Sequence, residues 1–87
     1  MKYRLIQTCG ACPEQYDVRL GDEYVGYLRL RHGVFRVDFD GETILTLYPS
    51  GEGCFTPTER DHYLTMAVRA IDSKLNQSVE WEIDSNT

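Results

Sequence analysis

Through the first half of the chain apolar residues alternate with polar ones, and in the second half they recur every three to four positions before alternating again at the end. That change of period predicts a sheet, then a helix, then a final strand. The clearest stretch is Glu23 to Asp40, EYVGYLRLRHGVFRVDFD, in which two runs rich in Val, Tyr, Leu and Phe flank His32-Gly33. Such a pair suits the positive φ angles of a tight type I′ turn, so the stretch reads as a β-hairpin. A two-residue loop sets Leu30 opposite Phe35, Leu28 opposite Val37 and Gly26 opposite Phe39 on one face. On the other face Arg31 lies opposite Val34, Arg29 opposite Arg36 and Tyr27 opposite Asp38.

Upstream of the hairpin, Lys2 to Thr8 predicts a strand with Tyr3 and Leu5 alternating against Arg4 and Ile6, interrupted by the turn residues Gly10 and Pro13. Gln15 to Leu20 predicts a second strand with Tyr16, Val18 and Leu20 on one face, and Gly21-Asp22 turns it into the hairpin. An unbulged register carries Tyr16 and Val18 to the arginine face and sets Glu14 beside Arg29, whereas a one-residue bulge carries Tyr16 and Val18 to the Leu28/Phe35 face. The sequence leaves both open. Asp40-Gly41 is another hairpin turn, followed by a fifth strand from Thr43 to Tyr48. Without bulges, Val34, Leu45 and Leu47 fall opposite the Leu28/Phe35/Val37 set and leave an apolar second face that a symmetric homodimer would bury. A bulge in strand 2 or strand 5 would return them to the first face.

Pro49 to Phe55 is a loop, and Thr56-Pro57-Thr58-Glu59 carries the signature of a helix start: Thr as N-cap, Pro at the first helical position and Glu at the third. Leu64, Ala67, Val68, Ile71 and Leu75 then form one apolar stripe that covers a face of the sheet, with Asn76 as C-terminal cap. Val79 to Asp84 alternates without a break and predicts a sixth strand with a buried Trp81, leaving residues 83–87 frayed. Strands 1, 3 and 5 of a meander run the same way, so the sixth is parallel to them and pairs at an edge, beside strand 1 or strand 5. The expected fold class is α+β: a five-stranded antiparallel meander, one amphipathic helix packed on the sheet, and a C-terminal strand, in a single domain of residues 1–87.

Composition narrows the partners. A net charge of −5 argues against non-specific binding to nucleic acid or an anionic membrane. No long apolar run is present and MKYRLIQT lacks the apolar segment of a secretory signal, which points to the cytoplasm. Three cysteines, Cys9, Cys12 and Cys54, cannot all pair within one chain, which suits a reducing compartment better than a disulfide framework.

Cys9-Gly10-Ala11-Cys12 is the sharpest chemical signal. Such a pair serves as a redox dithiol when it leads into a helix, but here Pro13 and a strand follow. It also serves as half of a zinc site, which Cys54 and His62 or His32 would complete from the same end of the sheet. Distance opposes that set, because strands 1 and 5 of a flat sheet stand roughly 19 Å apart. No cofactor is therefore expected, with zinc as the alternative. The arginine face is the second candidate: Tyr27, Arg29, Arg31 and Arg36 together could hold an anionic group or a protein partner. Nothing reads as catalytic. Asp61 and His62 point apart on a helix, and Gly51-Glu52-Gly53 lacks the Lys-Ser/Thr of a phosphate-binding loop.

Cys-Gly-Ala-Cys-Pro-Glu-Gln-Tyr-Asp-Val and Val-Gly-Tyr-Leu-Arg-Leu-Arg-His-Gly, within residues 9 to 37, resemble small uncharacterised proteins of bacteriophages and prophages. That resemblance implies a bacterial or phage source and transfers no activity. Two functions remain: a non-enzymatic interaction module that uses the open sheet face, and a small metal-binding domain organised by Cys9 and Cys12.

Overall fold

The computed structural model describes residues 1–9 and 12–84. The elements are β1 (Tyr3–Gln7), β2 (Glu14–Leu20), β3 (Glu23–Arg31), β4 (Val34–Phe39), β5 (Glu42–Leu47), α1 (Arg60–Leu75) and β6 (Trp81–Asp84). They form one mixed sheet in the order β5-β4-β3-β2-β1-β6, antiparallel throughout except where β6 pairs parallel with β1. The helix lies on one face, as the stripe of apolar residues requires: Leu64, Ala67, Val68 and Ile71 are fully buried against it. The edge beside β1 is thus the one that the returning chain takes. The expected turn at Gly10 and the C-terminal residues beyond Asp84 lie outside the described residues.

The turns behave as their residues demand. His32 and Gly33 both have positive φ, 54° and 75°, as do Asp40 and Gly41, 53° and 80°. Glycine meets no steric cost there, and the short polar or imidazole side chains before it tolerate the left-handed region. Gly26 serves a different purpose. A Cβ at that position would fall 2.7 Å from Ile71 Cδ1 and 2.9 Å from the Asp38 carbonyl oxygen, so its bareness lets α1 lie close on β3.

Two bulges decide which residues face the helix. Between β2 and β3 the partners step from Arg19↔Tyr24 to Val18↔Gly26, which leaves Val25 unpaired. Between β4 and β5 they step from Asp38↔Thr43 to Val37↔Leu45, which leaves Ile44 unpaired. Each bulge moves the rest of its strand to the other face. Tyr16 and Val18 therefore join Leu28, Phe35 and Val37 in the core, and Leu45 and Leu47 lie on the same side. This overturns the unbulged register and, with it, the large apolar second face on which the homodimer expectation rested; of that set, only Val34 stays outside.

The helix start is half of the expected box. The Thr56 amide donates to Glu59 Oε2 at 2.8 Å, but the Thr56 hydroxyl pairs with that of Thr58, and regular helix begins at Arg60. Glu59 is diverted because its carboxylate also receives the amides of Ser50 and Gly51, both at 2.9 Å, and so ties the β5–α1 loop to the helix. At the other end Asn76 caps in the left-handed region, while Asp72 accepts the Gln77 and Ser78 amides and the Tyr3 hydroxyl. β6 is shorter and less buried than its alternation suggests. Val79 is outside the strand and exposed, Ile83 is exposed, and Trp81 is only half-buried, its indole Nε1 donating to Thr65 Oγ1 at 3.1 Å. An edge position gives β6 a neighbour on one side only, which is why its apolar residues are less covered than those of β1.

Candidate functional site

The face of the sheet away from α1 carries the residues that alternate out of the core. Across its middle strands the register sets Gln15, Arg29, Arg36 and Thr46 in one row, with Asp17, Tyr27, Asp38 and Thr43 in the next. Arg31 and Val34 stand opposite each other at the hairpin tip. The sequence-predicted set of Tyr27, Arg29, Arg31 and Arg36 is thus on one surface, and Arg29, Arg31 and Arg36 line a shallow hollow of about 370 Å³ together with His32 and Val34.

The electrostatics within this set are uneven. Arg36 Nε approaches Asp38 Oδ1 at 3.2 Å, and that carboxylate also accepts the Thr43 hydroxyl at 2.8 Å. The Arg36–Asp38 approach is an ion pair without hydrogen-bond alignment, so Arg36 Nε is shielded from water and still has no acceptor. Arg29 Nε is in the same condition, and among the described residues neither Arg29 nor Arg31 has a carboxylate within 4.0 Å. Like charges directly opposite in a sheet repel, and unpaired buried donors each cost free energy. An oxygen anion lying between the two guanidinium groups would offset their repulsion. Tyr27 stands one row away and donates its hydroxyl to Gln15 Oε1 at 3.1 Å, which orients both side chains on this face.

Glu14 is not the neutraliser of Arg29. The bulge sends it to the core side opposite Leu30, where it is 2% exposed and accepts from four groups. These are Arg60 Nε at 2.8 Å, Arg60 Nη2 at 3.2 Å, the Phe55 amide at 3.0 Å and the Tyr16 hydroxyl. Burial pushes the Glu14 carboxyl up, yet the hydrogen bonds from Arg60, Tyr16 and Phe55 outweigh it and hold the carboxyl below the usual range. Burial and the Glu14 carboxylate push the Tyr16 phenol up in turn. Sequence reasoning missed this ion pair, although the signal was present: Glu14 is two residues before Tyr16 and four before Val18, in phase with a buried face.

The cysteines come together differently from either expectation. Cys12 and Cys54 are joined as a disulfide with Cα atoms 5.4 Å apart, and Cys9 is free. The distance that opposed this approach is closed by the β5–α1 loop, which folds back over the end of the sheet. There the Glu14 amide donates to the Gly53 carbonyl at 2.7 Å and the Gly33 amide to the Glu52 carbonyl at 2.6 Å. The picture of three free thiols is corrected accordingly. Bonded to each other, Cys12 and Cys54 offer no thiolate to zinc. His62 is exposed and lies edge-on against Tyr63, and among the described residues no three His, Cys, Asp or Glu side chains gather as a metal site. His32 instead lines a second hollow with Cys12, Pro13, Arg31, Glu52 and Gly53. Among the described residues no helix is long and apolar enough to cross a membrane.

No protein-family model, no curated protein and no solved structure matches this chain, so the reading of the site rests on its own geometry.

Proposed function

We propose that the protein is a non-enzymatic interaction module whose open sheet face, centred on Arg29, Arg31 and Arg36 with Tyr27 beside them, receives an acidic segment of a partner protein. The observation that carries this reading is the Arg29–Arg36 pair: two guanidinium groups opposed across β3 and β4, each with an Nε that is shielded from water and lacks an acceptor. Carboxylate oxygens meet guanidinium groups with short, charge-assisted bonds, and a side chain that brings two oxygens satisfies both donors of one fork. The net charge of −5 favours a short acidic segment over a long polyanion such as a nucleic acid, because the surface beyond the arginines repels negative charge.

Titration with a Glu-rich peptide, followed by amide chemical shifts, tests this. Shifts confined to β3, β4 and the His32-Gly33 turn are expected, weakening as salt shortens the screening length below about 8 Å. Replacing Arg29, Arg31 and Arg36 with Gln should abolish them while stability stays within about 1 kcal/mol, since half-exposed charges contribute little to folding. Identical behaviour of the wild type and the triple variant would overturn the reading.

The compartment follows the cysteines. A reducing cytoplasm suited three free thiols, and a Cys12–Cys54 bond instead supports a setting oxidising enough to keep it.

A further inference from the structure

We propose that the acidic segment received by the arginine face docks as an added strand on the outer edge of β5, its acidic side chains alternating with apolar ones. This rests on the function proposed above and names the form its partner takes. β5 ends the sheet, and among the described residues its backbone makes no hydrogen bond beyond the β4 ladder, so the N–H and C=O groups of its outer side are open to a further strand. Exposed edges are commonly blunted by Lys, by Pro or by shortness, and the six residues Glu42–Leu47 include neither Lys nor Pro. The bulge at Ile44 lies toward the Asp40-Gly41 turn and leaves residues 45–47 in unbroken register with β4. The opposite edge is unlike it. β6 has four residues, and its Glu82 and Asp84, paired with Lys2 and Arg4, would repel an acidic strand.

The side chains on the two faces of β5 say what the added strand carries. On the open face the row of Gln15, Arg29 and Arg36 ends at Thr46, which is short and exposed. The next place in that row, on an added strand, lies two strand spacings from Arg36, roughly 10 Å between Cα atoms, which a guanidinium and a glutamate side chain span across Thr46. On the helix face Leu45 and Leu47 are only half-buried, because an edge strand has a neighbour on one side only. Apolar side chains of an added strand would cover them and extend the core. Successive residues of a strand face opposite ways, so one segment supplies both: carboxylates toward Arg36 and apolar groups toward Leu45 and Leu47. In strand addition the main-chain hydrogen bonds give affinity and the alternate side chains give specificity. A Glu-rich segment without that alternation reaches the arginines through its carboxylates alone and leaves β5 untouched.

The test follows the arginine Nε–Hε signals and the exchange of backbone amides with deuterated water in the full chain. The probes are a Glu-rich peptide, a capped peptide of Val-Glu repeats, and the same repeats N-methylated at every residue, which keep their carboxylates and cannot donate to β5. All should shift the Arg29 and Arg36 signals. Only the unmethylated repeats should also slow exchange within residues 45–47, where amides of successive residues turn to opposite edges and at least one faces outward. They should bind about tenfold more tightly than their methylated form, which lacks the strand's hydrogen bonds. Arginine shifts without slower exchange in residues 45–47, or equal affinity for the two Val-Glu peptides, would overturn the added strand and leave the acidic-segment reading standing. Absence of arginine shifts with every peptide would overturn both. Slow exchange of those amides without peptide, together with a sedimentation mass of two chains, would overturn the proposal by giving the edge to a second copy.

Discussion

Glu14 is the residue on which the most local structure depends. Its carboxylate takes hydrogen bonds from Tyr16 in its own strand, from the β5–α1 loop and from the first turn of α1, so one side chain ties β2 to a stretch more than 40 residues along the chain. Glu14→Gln removes the charge and leaves one amide nitrogen facing donors. A loss of about 2 kcal/mol is expected, the low side for a broken buried pair because the Arg60 side chain keeps 34% of its surface exposed. The pH dependence follows from the lowered carboxyl. Its contribution is complete above the ordinary carboxylate value of about 4.3 and fades as pH falls through the lower folded value. Urea midpoints of wild type and Glu14→Gln should therefore differ most near neutrality and converge toward pH 2; a gap that widens in acid would contradict this role. Gly26 is the second residue whose identity is fixed by its surroundings. Gly26→Ala should cost about 1–3 kcal/mol, since one of its two clashes is with the backbone oxygen of Asp38.

At the level of elements, strands and helix followed from period and turn chemistry, while the faces of β2 and β5 did not. His32-Gly33 and Asp40-Gly41 announce their turns because few residues enter the left-handed region, and the Leu64 to Ile71 stripe announces a covered sheet. A bulge leaves no such mark. Val25 and Ile44 are ordinary strand residues, and the extra position is set by the whole sheet choosing which side to bury. The same choice explains why Glu14 reads as a surface residue in one register and a core residue in the other. Deleting Ile44 takes out the extra residue and leaves Thr43 opposite Asp38 and Leu45 opposite Val37 in one regular register, so Leu45 and Leu47 should stay against the core and dye binding to apolar surface should be low before and after the deletion. Strong dye binding by the wild type that the deletion removes would contradict the bulge. β6 illustrates the opposite error: a perfect alternation promised a buried strand, yet an edge strand beside β1 covers only Trp81 in part. Trp fluorescence between the buried and fully exposed limits is expected, and a maximum at the fully exposed limit would misplace it.

For the whole molecule, the decisive asymmetry is between a face closed by α1 and a face left open with its arginines incompletely paired. The arginine set was legible in sequence because a two-residue turn fixes Arg29 opposite Arg36. The meeting of Cys12 with Cys54 was not, since it depends on a loop folding back across the sheet end. That bond closes a separation of 42 residues, and in the chain-entropy account a loop of this size gives about 4 kcal/mol; the double change to Ser should lower stability by up to that amount. Calorimetry showing no difference would mean the bond does not form. The claim that the open face receives an acidic group rests on two Nε donors, and the most direct measurement observes them. In spectra of the arginine Nε–Hε groups, addition of a Glu-rich peptide should shift the Arg29 and Arg36 signals together, saturably, and slow the exchange of their protons with water. Signals for Arg29 and Arg36 that stay in place while those of Arg4 or Arg69 move would contradict it.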